Sequence, residues 1–127
     1  MKLLLDTNFL LIPPTLKIDI FSQFKEIDPR VNFYVLDRSL KELEYIKAKG
    51  SGKEKGAASI AEQFIIRFNI EIIHTEESFK NVDQVLVDSA EKGGFSVATQ
   101  DKELQEQLRK AGIKVFRLRQ KKYIQLI

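Results

Sequence analysis

The chain has 127 residues, 43% of them hydrophobic and 31% charged, which suits one globular domain, is too short for two, and holds no apolar run near the ~20 residues of a membrane-crossing helix. It contains no Cys and a single His, His74, which excludes disulfides, thiolate metal sites and a multi-histidine zinc centre. The net charge of +3 is unevenly spread: residues 109–127 hold seven basic groups and no acid, while residues 1–108 carry 14 basic and 18 acidic groups, a layout suited to a polyanionic partner.

Leu3-Leu4-Leu5 predicts a short strand buried on both faces. Asp6 follows too early for Met1–Leu5 to form a signal-peptide core, and with no Cys the expected location is cytoplasmic. Pro13-Pro14 is expected to mark a loop. Ile18, Phe21 and Phe24 have helical spacing over Ile18 to Glu26. Phe33 to Leu36 reads as a second strand, followed by a helix through Leu40, Leu43 and Ile46. Lys49 to Lys53 reads as a flexible basic turn, and Glu54 to Phe68 as a helix with Ile60, Phe64 and Phe68 four apart.

Ile70 to Ile73 is the third predicted strand. Asn81 is placed to cap a helix from Val82 to about Lys92, which Gly93-Gly94 stops. Phe95 to Ala98 is the fourth strand, Lys102 to Lys110 a helix closed by Gly112, and Ile113 to Phe116 the fifth strand. The alternation predicts a single α/β domain over residues 1–127, three layers deep (α/β/α), around a mainly parallel five-stranded sheet.

Ligands of open parallel sheets bind beyond the carboxyl ends of the strands. Asp6-Thr7-Asn8 follows the first strand and Thr99-Gln100-Asp101 the fourth, while Glu42 and Asp83 lie early in two intervening helices. Each has a plainer use: Asp6 opening a turn, Thr99 or Asp101 capping a helix, Asp83 favoured by the helix dipole. Glu42 and Glu44 flank the apolar stripe equally, so spacing does not choose between them, and Asp88 falls on the solvated side of its helix. Two carboxylates about 5 Å apart at an effective dielectric of about 20 repel by roughly 3 kcal/mol. A convergence of four therefore implies a hard divalent cation such as Mg²⁺ or Mn²⁺, and with it phosphodiester chemistry.

These motifs resemble, over essentially the whole chain, the PIN-domain family of metal-dependent nucleases. The matching residues are Leu5-Asp6-Thr7-Asn8, then Lys41-Glu42-Leu43-Glu44, then Asp83 upstream of Val97-Ala98-Thr99-Gln100-Asp101. The resemblance selects Glu42 over Glu44. It implies a metal-dependent endoribonuclease that cleaves single-stranded RNA by hydroxide attack, with one or two Mg²⁺ or Mn²⁺ ions on Asp6, Glu42, Asp83 and Asp101. Thr99 is expected to orient water or a carboxylate, and Asn8 to fix the loop after the first strand. The family has a branch of VapC-type toxins silenced by an antitoxin, and another that processes ribosomal RNA alongside ribosome-assembly proteins. Glu42-Leu43-Glu44, Val97 to Asp101 and the basic C-terminal segment look more like the processing branch. Where those enzymes often carry two adjacent acids, this chain has Val82-Asp83. Self-association into a homodimer is common in the family.

Lys47, Lys49, Lys53 and Lys55, with Arg117, Arg119, Lys121 and Lys122, are expected to cradle RNA phosphates, and Tyr123 to stack on a base. A catalytically idle RNA-binding or assembly module is the alternative. A receiver-like phospho-acceptor domain fits less well, because His74-Thr75-Glu76 supplies no Asp after the third strand.

Overall fold

A computed structural model describes residues 1–75 and 81–127; Glu76 lies outside them. Its strands are β1 (Lys2–Leu5), β2 (Asn32–Leu36), β3 (Glu71–Ile73), β4 (Ser96–Ala98), β5 (Val115–Arg119) and β6 (Tyr123–Leu126). Its helices are α1 (Thr7–Leu10), α2 (Ile12–Leu16), α3 (Ile20–Ile27), α4 (Asp37–Lys49), α5 (Gly52–Arg67), α6 (Val82–Gly93) and α7 (Lys102–Lys110). The sheet order is β3-β2-β1-β4-β5-β6, parallel except for the antiparallel β5–β6 pair. Successive crossovers step one way from β1 and then the other, so the order reverses between β1 and β4, where such sheets open a crevice.

The apolar runs of the central strands are explained by burial on both sides. Leu3, Leu5, Phe33, Val35, Ala98 and Phe116 point into one core, shared with α3, α4 and α5 through Phe24, Leu43 and Ala61. Leu4, Leu36, Val97 and Val115 point the other way, into a core with α6 and α7 through Leu86, Ala90, Leu104 and Leu108. Helices therefore cover both faces, and the three layers follow from the strand composition.

The sequence expectations need five corrections. Pro13 and Pro14 do not form a loop: they lie in the first turn of α2, where a backbone N–H has no intrahelical partner to lose. The basic segment after Phe116 adds to the sheet, which has six strands rather than the expected five. It lengthens β5 to Arg119 and returns as β6, a sixth strand with Arg117 opposite Gln125 and Leu118 opposite Ile124. In α5 the inward stripe is Ala58, Ala61 and Ile65, while Ile60 is exposed; small residues let α5 approach α4 closely. Asp88 is half-buried and accepts a hydrogen bond from Gln84 Nε2 at 3.0 Å, so it is not simply solvated. The turn expected over Lys49 to Lys53 shrinks to Gly50 and Ser51, because Ser51 and Glu54 form a reciprocal capping box that starts α5 at Gly52; Gly94, at φ +68°, closes α6 in the left-handed region as expected.

Candidate active site

Asp6 is the first residue beyond β1. Its amide still bonds to Ala98 O of β4 at 3.0 Å, which fixes the residue at the β1/β4 crevice. One carboxylate oxygen caps α1 by accepting the Thr7 N–H at 2.8 Å, and the other accepts the Thr99 hydroxyl at 2.9 Å. The turn-opening role and a site role are therefore compatible, because each oxygen retains a lone pair. Thr99 is wholly buried, and its oxygen in turn accepts the Asp101 N–H at 3.1 Å. Gln105 Nε2 donates to Thr99 O at 2.8 Å, so α7 locks the residue that orients Asp6. Burial raises the Asp6 pKa; the Thr99 and Thr7 hydrogen bonds oppose the rise, and the charges of Asp83 and Asp101 add to it.

Glu42 is delivered by the second turn of α4. Its pKa is also raised, first by burial and then by Asp6 and Asp83, while the Thr7 hydroxyl lowers it. The residue is exposed by surface area, so solvent screens this interaction. Thr7 is buried, with its hydroxyl 2.7 Å from Ser39 Oγ, and so links the Asp6 turn to α4.

Asp83 occupies the first turn of α6, behind the Asn81 cap that accepts the Gln84 N–H at 2.8 Å. Its pKa is raised by burial, then by Asp101 and Glu103. Asp101 caps α7, one of its oxygens accepting the N–H groups of Glu103 at 3.0 Å and Leu104 at 3.2 Å, and its other oxygen is not part of the cap.

The tertiary structure thus couples Asp6, Glu42, Asp83 and Asp101 electrostatically, from four separate segments. Among the described residues, no three acidic or imidazole groups stand close enough to hold one ion between them. A shared ligand set therefore requires rotation of side chains such as Glu42 and Asp83. The donor chemistry fits a hard divalent cation: the donors are carboxylate oxygens with no thiolate, at a crevice where their charge is penalised.

Several contributors escape the sequence reading. Glu103 adds a further negative charge beside Asp83. Asp37, directly after β2, accepts the Thr75 N–H at 3.0 Å and the Thr75 hydroxyl at 2.8 Å, and those bonds hold its pKa below the usual range although burial opposes them. His74 is exposed, with Nδ1 4.0 Å from Asp37, which agrees with a strand-end role. Thr7 and Gln105 carry no signal of their own; only the Asp-Thr-Asn triplet hints at the former. Asn8 is exposed within α1, whose cap is made by Asp6.

The basic residues form separate groups. Lys47, Lys49, Lys53 and Lys55 straddle the α4–α5 junction; Lys49 lies about 10 Å further along the helix axis than Glu42, and Lys47 is paired with Glu62 at 2.9 Å. Arg117, Arg119, Lys121, Lys122 and the exposed Tyr123 lie on the β5–β6 hairpin, with Lys122 Nζ 5.5 Å from the Tyr123 ring centre.

Comparison with known proteins agrees with this architecture. The family model described as "PIN like domain" matches residues 3–121. The chain belongs to the PIN-domain family. Among curated proteins, this PIN domain is 33% identical over 120 residues to Ribonuclease VapC9 of Archaeoglobus fulgidus, covering 94% of this chain and 84% of that protein. Among solved structures, the PIN domain endonuclease Utp24 superposes with a TM-score of 0.79 at 23% identity, covering 98% of this chain and 90% of that one. VapBC2 from Rickettsia felis, solved with a promoter DNA fragment, gives a TM-score of 0.69 at 18% identity over 92% of this chain and 98% of that one. At these identities the structural likenesses speak for the PIN fold alone.

Proposed function

We propose that this PIN domain is a divalent-metal-dependent endoribonuclease that cleaves single-stranded RNA by hydroxide attack on a phosphodiester, with ribosomal RNA processing as its role. The observation that carries the reading is the coupling of Asp6, Glu42, Asp83 and Asp101 at the sheet's switch point, where Asp6, Glu42 and Asp83 all have raised pKa values. A fold gains no stability from such a grouping, and functional sites are where it is found. These four residues would hold Mg²⁺ or Mn²⁺, which supplies a lowered pKa for the attacking water and stabilises charge on the phosphate.

The chain's own contribution is positional. Thr99 fixes the orientation of Asp6 through its hydroxyl and passes the register of α7 to it through the Asp101 amide. Asp101 is held by the helix it caps, and Thr7 connects α1 to the helix bearing Glu42. The hairpin cations and the α4–α5 lysines receive the RNA backbone.

The decisive experiment is cleavage of a single-stranded oligoribonucleotide with Mn²⁺, by wild type and Asp6→Asn purified in parallel. Cleavage lost in the variant and abolished by chelator supports the reading; equal cleavage by the folded variant removes it.

A second reading, a toxin ribonuclease held silent by an antitoxin, is favoured by the identity to Ribonuclease VapC9 over 94% of the chain. Growth arrest on expression, lost with Asp6→Asn, favours the toxin; unimpaired growth with accumulated precursor RNA on depletion favours processing.

A further inference from the structure

The register of the sheet sets a cationic cleft beside the carboxylates. β4 pairs with β5 only as far as Ala98 opposite Phe116, yet β5 continues through Arg117, Leu118 and Arg119. The overshoot lies on the same rim as Asp6 and Thr99. Arg117 and Arg119, two residues apart in a strand, point to one face, opposite to Phe116 and Leu118 in the core. Lys102 opens α7 on the same side. Together with Gln100 and Gln120 they line a cleft of about 290 Å³ that has no acidic residue in its wall.

The cleft is a built feature. Gln100 acts as an extra rung on β5: its Nε2 donates to Leu118 O at 3.1 Å and its Oε1 accepts the Leu118 N–H at 2.6 Å. Arg117 Nε donates to Gln125 Oε1 at 3.1 Å, which sets the guanidinium plane while leaving its terminal amino groups available. Among the described residues, Lys102, Arg117 and Arg119 have no carboxylate partner within ion-pair distance. Unneutralised arginines on rigid backbone match the geometry of a phosphate better than that of any neutral ligand.

Building on the nuclease reading, we propose that this cleft between the start of α7 and the β5–β6 hairpin binds a backbone phosphate of single-stranded RNA, anchoring the strand next to the carboxylate site. One rim then carries two tasks, a carboxylate group for the phosphodiester to be cut and a cationic seat for another phosphate of the same strand. The seat is Lys102, Arg117 and Arg119, with Gln100 keeping its wall in place.

The test is fluorescence anisotropy with a labelled single-stranded oligoribonucleotide, in chelator so that nothing is cleaved, over a range of KCl concentrations. Arg117→Gln/Arg119→Gln should weaken binding about tenfold at low salt and flatten the logarithmic salt slope by about 0.7 for each phosphate no longer neutralised. Arg119→Gln alone spares the Arg117–Gln125 bond and should show part of the effect with an unchanged melting temperature. Lys92→Gln/Lys114→Gln removes the same charge at the opposite ends of α6 and β5, and should leave affinity within about twofold. If the arginine variants match this control in slope and affinity, the cleft is not a phosphate seat, and wild-type RNA binding and cleavage still stand. If folded wild type binds no RNA, the ribonuclease reading falls with it.

Discussion

Replacing Asp6 by Asn should stabilise the fold at neutral pH, although it removes the residue most central to the site. Asn keeps the shape, and it is as good a helix cap as Asp, so the Thr7 N–H at 2.8 Å remains satisfied. The substitution gives up charge assistance in that bond and in the Thr99 bond at 2.9 Å, on the order of 0.5–1 kcal/mol each. It relieves the burial of a carboxylate and its repulsion by Asp83 and Asp101. The raised pKa means that this relief outweighs the weakened hydrogen bonds. A net gain is therefore expected at pH 7.5, within the roughly 0.5–2 kcal/mol that a single stabilising substitution commonly yields. A carboxyl with a raised folded-state pKa contributes stability that is fully present below its unfolded pKa and lost as the pH rises through the folded one. The advantage of Asn should accordingly shrink as the pH is lowered through the Asp6 titration. Urea unfolding of both proteins between pH 4 and 7.5 measures this. A variant less stable than wild type at pH 7.5 would refute the claim that burial and repulsion outweigh the hydrogen bonds at Asp6.

Metal binding should show without any turnover: Mn²⁺ at 100 times its Kd stabilises a folded protein by about 2.7 kcal/mol, so wild type should gain in melting temperature and Asp6→Asn should gain far less. Thr99→Val removes a buried hydroxyl bonded to both Asp6 and Asp101. It should cost about 1–3 kcal/mol and raise the Asp6 pKa further, read by carboxyl NMR titration. Asp37→Ala cuts both bonds to Thr75 and should cost about 1–2 kcal/mol at neutral pH. Because its folded pKa is lowered, that cost should fade as the pH falls through the Asp37 titration, followed in the same urea series. Gly94→Ala forces a side chain into φ +68° and should destabilise by about 1–2 kcal/mol in thermal melts.

Local chemistry was enough to fix the central strands and the ends of α6 and α7, but not the short helices α1 and α2 or the junction of α4 with α5. Apolar runs such as Leu3-Leu4-Leu5, caps such as Asn81 and Asp101, and stops such as Gly94 act over a few residues, and each does in three dimensions what its chemistry dictates. Asp6 and Thr99 were legible as strand-end residues for the same reason. Where a helix side chain such as Glu42 points relative to another segment was not, because periodicity gives only an angle about one axis. The coupling of Glu42 to Asp6 and Asp83 comes from packing α4 and α6 against opposite faces of the sheet. The same limit hid β6 and the cationic cleft: a basic segment reads as solvated until Leu118 and Ile124 are seen paired across the hairpin. Gln100 becomes a strand-bonding residue only once β5 lies beside it. The order of residues along the chain thus dictates the elements and the charges they carry. Which of those charges meet is settled by folding, because their meeting depends on the register between segments that are far apart in the chain and bonded to one another only in the finished sheet.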